Sequence, residues 1–303
     1  MKVGVISDIH SNIVALNECI KRLENEGCDE YLLLGDYIAD TPYTRETVDC
    51  LYEFTASHKC TLLRGNREEY VIAQRRIIRN GEERGRWIKN SASGNLLFTY
   101  EKLNDSDIDF FESLPISFVY DPEGYPAITC CHGSPENNSE LLQHDGENTK
   151  QWMKKSSTDY LLCAHTHIPG MTVYDGKHYF NTGCVGIAIG TPGLAQCMTL
   201  ESDGIEWIPQ FLLVPYDNRK VAKDCFSLGL MDYAPWFINS NLQILLSGWD
   251  NSANMVELAK EIKLSEQGEC EWPYIEECYF EKAAQKLGIP DYRNSDLKVE
   301  LKG

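Results

Sequence analysis

Seven side chains in this sequence carry the atoms a divalent metal ion takes from protein: Asp8, His10, Asp36, Asn66, His132, His165 and His167. Carboxylate oxygen, amide oxygen and imidazole nitrogen together suit Mn2+, Fe2+ or Zn2+, whereas Ca2+ takes oxygen alone. Seven ligands exceed what one ion accepts while leaving room for a substrate. Two ions sharing one carboxylate, roughly 3.5–4 Å apart, are the economical arrangement.

These residues stand where strands end. Val3-Gly4-Val5-Ile6 is short, apolar and β-branched, as a buried parallel strand is, and it runs into Ser7-Asp8-Ile9-His10-Ser11-Asn12. Asp8 and His10, two apart in an extended segment, are expected to point to one side. Ile13, Leu16, Ile20 and Leu23 then mark one helix face. A second strand, 30–34, ends in Gly35-Asp36; residues 42–57 have helical spacing; a third strand, 60–64, ends in Gly65-Asn66-Arg67-Glu68. The alternation implies right-handed crossovers and a largely parallel sheet, whose carboxyl ends share one edge. Asp8, His10, Asp36 and Asn66 should therefore converge.

Residues 67–114 read mostly as helix, with polar breaks at 80–81 and 91–95. Strands follow at 116–120, at 127–131 before His132-Gly133, and at 160–164 before His165-Thr166-His167. A hairpin at 170–174 and 177–181 turns on Asp175-Gly176, and further strands are expected at 184–188, 195–200 and 205–212. From 217 the strand pattern gives way to helices at 217–231, 234–247, 253–264 and 273–287. The expected architecture is α/β. A two-sheet β-sandwich flanked by helices occupies 1–216, and 217–303 form a helical extension that packs on it or mediates a homo-oligomer.

A hydrophobic fraction of 43% and a charged fraction of 24% are those of a soluble globular chain. A net charge of −18 repels polyanions, so extended nucleic acid is disfavoured as a partner, while a small phosphoester could still enter a locally positive pocket. The twelve cysteines include no C-x-x-C pair, and Cys130, Cys131 and Cys163 sit in apolar runs, which suits a reduced, intracellular setting. The chain opens directly into a strand and no apolar run approaches the roughly 18 residues of a membrane span, so a cytoplasmic protein without a membrane partner is expected.

The ordered set Asp8-x-His10, Gly35-Asp36, Gly65-Asn66-x-Glu68, His132 and His165-x-His167 resembles the calcineurin-like metallophosphoesterases, specifically their small bacterial phosphodiesterase branch, over about residues 1–212. Five blocks in order make a specific match, where a lone D-x-H would not. The resemblance implies a β-sandwich flanked by helices, the calcineurin-like phosphoesterase fold. It places Asp8, His10 and His167 on a first metal, Asn66, His132 and His165 on a second, and Asp36 between them. Two cations so placed acidify a bridging water and neutralise charge building on a phosphoryl group. Hydrolysis of a small phosphoester by that hydroxide is the implied reaction, a diester ahead of a monoester, with Asp36, Asn66, Arg67 and His132 as the catalytic residues.

Arg67 departs from the family, where a histidine in that place helps protonate the leaving oxygen. Arginine stays charged and cannot deliver a proton, although it can clamp phosphate. Esters whose leaving group needs no proton are therefore the expected substrates. Ala164 stands where the family often has glycine, and Asn181-Thr182-Gly183-Cys184 where it has Asn-Pro-Gly-Ser. The segment from Arg64 to Lys89 is locally basic, with Arg75, Arg76 and Arg79 read as a solvated helix face pairing with nearby acids. His144 reads as a surface residue, His58 and His178 as structural. A metal-binding but catalytically weak regulatory module is the alternative; a nuclease is disfavoured by the charge, and a protein phosphatase by the absence of that branch's longer segments. Loops at 81–95 and 134–150 are expected to set substrate choice.

Overall fold

The computed structural model describes residues 1–294, so residues 295–303 of the expected extension lie outside it. In the first sheet β1 (Lys2–Ile6), β2 (Glu30–Leu33) and β3 (Cys60–Leu62) are parallel. Two long antiparallel strands, β9 (Leu194–Ser202) and β10 (Trp207–Pro215), complete the order β10-β9-β1-β2-β3. The second sheet comprises β4 (Ser117–Tyr120), β5 (Ile128–Cys131), β6 (Tyr160–Cys163), β7 (Gly170–Tyr174) and β8 (Lys177–Asn181). Its order is β4-β5-β6-β8-β7, with β5, β6 and β8 parallel and the two edge strands antiparallel.

The apolar runs follow from burial on both faces. Val3, Val5, Leu32 and Leu34 face the second sheet and pack on Ile128, Cys130, Leu162 and Phe180. The alternate residues Ile6, Tyr31 and Leu33 face outward into a helical layer. That layer is formed by α1 (Ile13–Asn25), α2 (Thr44–Ser57), α3 (Asn66–Arg79) and, beyond α4 (Gly94–Tyr100), α5 (Asp105–Ser113). On the other side α6 (Glu147–Lys155) places Met153 against Leu161, Cys163 and Tyr179. Gly4 is needed inside β1, because a Cβ there would lie 2.8 Å from the Tyr31 ring.

No strand follows Pro215 among the described residues. α7 (Asn218–Ser227) and α8 (Pro235–Ser247) pack with Tyr43, Phe98 and the 184–188 loop, while α9 (Ser252–Gln267) and α10 (Glu277–Leu287) pack on Trp236 and Ala92. No helix among the described residues is long and apolar enough to cross a membrane.

Several expectations need correction. Residues 184–188 are a bent loop instead of a strand: Val185 and Gly186 donate to the Ser7 and Asp8 carbonyls, and Gly186 lies so close to Ile9 that a Cβ would sit 2.1 Å from its carbonyl oxygen. The helix expected from 217 to 231 ends at Ser227 and is followed by a 3-10 turn at Leu230–Asp232, separated by Gly229 with φ of 81°. The last helix starts at Glu277, four residues beyond the proline at which it was expected. The α3 arginines do pair with acids, but Arg75 is buried, not solvated: Nη1 donates to Asp109 and Nη2 to Glu112, both on α5.

Candidate metal centre

The seven residues all follow parallel strands. Asp8 and His10 come after β1, Asp36 after β2, Asn66 after β3, His132 after β5, and His165 and His167 after β6. The backbone there leaves strand geometry. Asp8, His10, Asp36, His165 and His167 have φ of 51°, 50°, 52°, 67° and 57°, values uncommon outside glycine and most tolerated by Asp, Asn and His. Asp8 and His10 thus converge through left-handed turns, not through the extended alternation expected from their spacing.

The turns are held by hydrogen bonds between the loops. Asp8 N–H donates to the Gly35 carbonyl at 3.0 Å and His10 N–H to that of Asp36 at 2.9 Å. Glu68 is fully buried and accepts from the backbone N–H of Gly65, Asp36 and Tyr37 at 2.8, 2.9 and 2.8 Å. It therefore ties the β2 loop to the β3 loop. Burial and the Asp36 charge push its pKa up to about 7. Gly65 permits this approach, since a Cβ would fall 2.2 Å from Asp36 Oδ1.

Ligand-type atoms meet at short range. His10 Nε2 lies 2.9 Å from His167 Nε2, and His167 Nε2 lies 3.3 Å from Asp8 Oδ1. His132 Nε2 lies 3.1 Å from Asn66 Oδ1 and 3.5 Å from Asp36 Oδ2. Ligand atoms of Asp36, His132 and His165 fall within 4.8 Å of one another, as do those of Asp8, His10 and Asp36.

The chemistry of this set fits cations. A carbonyl only accepts, so His132 Nδ1, 2.7 Å from the Leu34 oxygen, carries a proton, which leaves Nε2 to take either a second proton or a metal ion. Nε2 faces Asn66 Oδ1, an acceptor, so positive charge belongs at Nε2. Asp8 Oδ2 accepts from Ser7 Oγ at 2.7 Å and His165 N–H at 3.2 Å, but the buried Oδ1 has no hydrogen-bond partner. Acceptors facing acceptors in a buried site are costly unless positive charge sits between them. The titrations agree: burial lowers His132 but Asp36 and Asp8 raise it to about 9, while burial works against Asp36 yet His132 and His10 hold it well below the carboxylate range. His165, by contrast, is pushed down to about 4 by burial and by His132.

Asp40, which sequence reading did not single out, supports this layer. It is buried in a left-handed turn with φ of 70°. Oδ2 lies 2.8 Å from His10 Nδ1 and accepts from Arg67 Nε at 2.8 Å, while Oδ1 accepts from Asn95 Nδ2 at 2.7 Å. Arg67 also donates its backbone N–H to Asp36 Oδ1 at 2.8 Å, so it borders the site without joining the ligand set. Cys184 is the second residue that spacing did not reveal as a donor. One ligand atom each from His10, His167 and Cys184 lie within 4.8 Å. Its place in a motif that elsewhere ends in serine was the available signal. His144 is exposed, as expected, whereas His58 and His178 stack on Phe54 and Tyr160.

Residues 1–169 match the family model of the calcineurin-like phosphoesterases. An uncharacterized protein of Methanocaldococcus jannaschii is 24% identical over 236 residues, which cover 72% of this chain and 89% of the relative. Among solved structures, a hypothetical protein of Pyrococcus horikoshii matches with a TM-score of 0.68 at 21% identity, covering 82% of this chain and 99% of that one. A metallophosphoesterase of Sphaerobacter thermophilus gives 0.62 at 22%, covering 81% and 100%. At these identities the structures establish a shared fold. With the family model matching more than half of its length, the chain belongs to the calcineurin-like phosphoesterases.

Proposed function

We propose that this protein hydrolyses a small phosphoester, a diester in preference to a monoester, using two divalent ions of the Mn2+, Fe2+ or Zn2+ type. The carrying observation is the convergence of Asp8, His10, Asp36, Asn66, His132, His165 and His167, with Asp8 Oδ1 buried and without a hydrogen bond among them. Asp8, His10 and His167 would hold one ion, Asn66, His132 and His165 the other, and Asp36 would contribute to both. Such ions supply an acidified water and neutralise phosphoryl oxygens.

The protein's own groups orient that chemistry. Leu34 and Asp40 direct the ring nitrogens of His132 and His10, and Glu68 fixes the backbone of Asp36. Arg67 remains a cation, so it can attract a phosphoryl group but cannot protonate a leaving oxygen. A small phosphoester in the cytoplasm is the partner we favour, for two reasons. The net charge of −18 opposes long polyanions, and the twelve cysteines are free thiols.

Metal-stripped protein, given Mn2+, Zn2+ or Mg2+ singly, should hydrolyse bis-p-nitrophenyl phosphate and, more slowly, p-nitrophenyl phosphate, and Asp36→Asn should abolish both. The pairing of Arg67 with Asp40 favours a second reading, a metal-binding module with little turnover. Two ions bound with no hydrolysis would select it.

A further inference from the structure

A cavity of about 630 Å3 opens between α3 and the C-terminal helices, and its polar end is the outer layer of the metal centre. Arg67 and Asn95 line it, and both hydrogen-bond the Asp40 carboxylate that contacts His10. Among the described residues neither terminal nitrogen of Arg67 donates a hydrogen bond, so the guanidinium keeps donors for an anion. Four aromatic side chains, Tyr70, Trp87, Phe237 and Trp272, line the remainder. Tyr70 and Trp272 are 37% and 41% exposed, large rings that the protein leaves uncovered where the cavity provides space.

A cation bordering phosphoryl-binding chemistry at one end and aromatic walls at the other define a ligand with the reverse pattern. We propose that the cavity binds an uncharged planar aromatic substituent of the phosphoester, an aryl ring or base, while the phosphoryl group lies toward Asp36 and Arg67. The inference rests on the phosphoesterase reading. Its size is within the roughly 300–1,000 Å3 of small-molecule sites, and ring stacking supplies affinity without a charge. The C-terminal helices are thereby part of the substrate site, since Phe237, Glu257 and Trp272 belong to that region.

Ala73 and Ala253 line the cavity and are exposed, so tryptophan at either place fills space without entering the core. Binding of 1-naphthylmethylphosphonate and of methylphosphonate, neither of which can be hydrolysed, is measured by calorimetry on the full chain and on Ala73→Trp and Ala253→Trp, with circular dichroism confirming the fold. The naphthyl compound should bind the unaltered protein at least about tenfold more tightly, and both variants should lose most of that advantage. Equal affinity for the two phosphonates, or an advantage that survives both variants, overturns the proposal. Absence of turnover of every ester with every metal would sink the phosphoesterase reading alone, because the phosphonate comparison needs no chemistry.

Discussion

His10 and Asp40 form a buried pair in which Nδ1 lies 2.8 Å from Oδ2, and neither side chain is exposed. A carboxylate beside Nδ1 favours the proton on that nitrogen, and so turns Nε2 toward His167 and Asp8. Burial raises the Asp40 pKa, but Arg67 and His10 bring it down to about 2, so the carboxylate is ionised across the working range. Asp40→Asn keeps an acceptor but removes the charge. We expect metal affinity to fall roughly 10–100-fold with the fold retained. Competition with a chelator of known strength measures this, and unchanged affinity would mean that His10 is oriented without Asp40.

Arg67 leads to a prediction about leaving groups. A positioned general acid contributes about 10²–10⁴-fold where the leaving oxygen must be protonated, and arginine cannot act as one. The protein should therefore cleave p-nitrophenyl esters far faster than matched alkyl esters. Arg67→His should raise alkyl ester hydrolysis by about tenfold or more, while changing nitrophenyl turnover less. Should the unaltered protein cleave both classes at similar rates, another group supplies the proton.

Cys184 bears on metal choice. Its Sγ accepts from Ile187 N–H at 3.2 Å and its S–H donates to the Asp8 carbonyl at 3.1 Å, close to the ligand atoms of His10 and His167. Burial raises the thiol pKa, and His167 acts against that rise. A thiolate favours Zn2+ or Co2+ over Mn2+, and its deprotonation is coupled to binding. Cys184→Ser should reduce the preference for Zn2+ over Mn2+ by about tenfold. Cobalt-loaded protein should show a near-ultraviolet thiolate-to-metal band that the variant lacks; identical spectra would exclude Cys184 as a ligand.

The ligands that sequence made legible are those set by local signals, each a donor type at the end of a short apolar run. Asp40 gave no such signal. It is an acid in a loop, and its role exists only because the left-handed turn at Ala39 and Asp40, with φ of 74° and 70°, carries it to His10. Arg75 looked solvated because its partners Asp109 and Glu112 lie on a helix more than 30 residues away. Residues 184–188 have strand composition, but close packing of Gly186 on Ile9 bends them. The aromatic cavity was illegible for a similar reason. The loop expected to set substrate choice does supply Trp87 and Asn95, but Phe237 and Trp272 come from the extension, which no local pattern joins to it.

Asp107 links α2 to α5 and yields a pH prediction. Oδ2 accepts from Arg45 Nη1 at 2.6 Å and Asn104 N–H at 2.7 Å, and Oδ1 accepts from the Tyr52 hydroxyl at 2.9 Å. Burial pushes its pKa up, but Arg45, Asn104 and Tyr52 outweigh that and hold it below the ordinary value. Because the folded value is the lower one, the stabilisation is complete above the unfolded pKa of about 3.9 and is lost as pH falls through the folded value. Asp107→Asn should cost roughly 1 kcal/mol near pH 7, since Arg45 is part-exposed and keeps its pairing with Asp49. Below about pH 4 the unfolded chain takes up a proton at this group while the folded protein still holds the carboxylate, so the gap should narrow as pH falls toward the lower folded value. Urea unfolding of both proteins at neutral pH and near pH 3 tests this, and a gap of constant size would show that the charge of Asp107 contributes nothing.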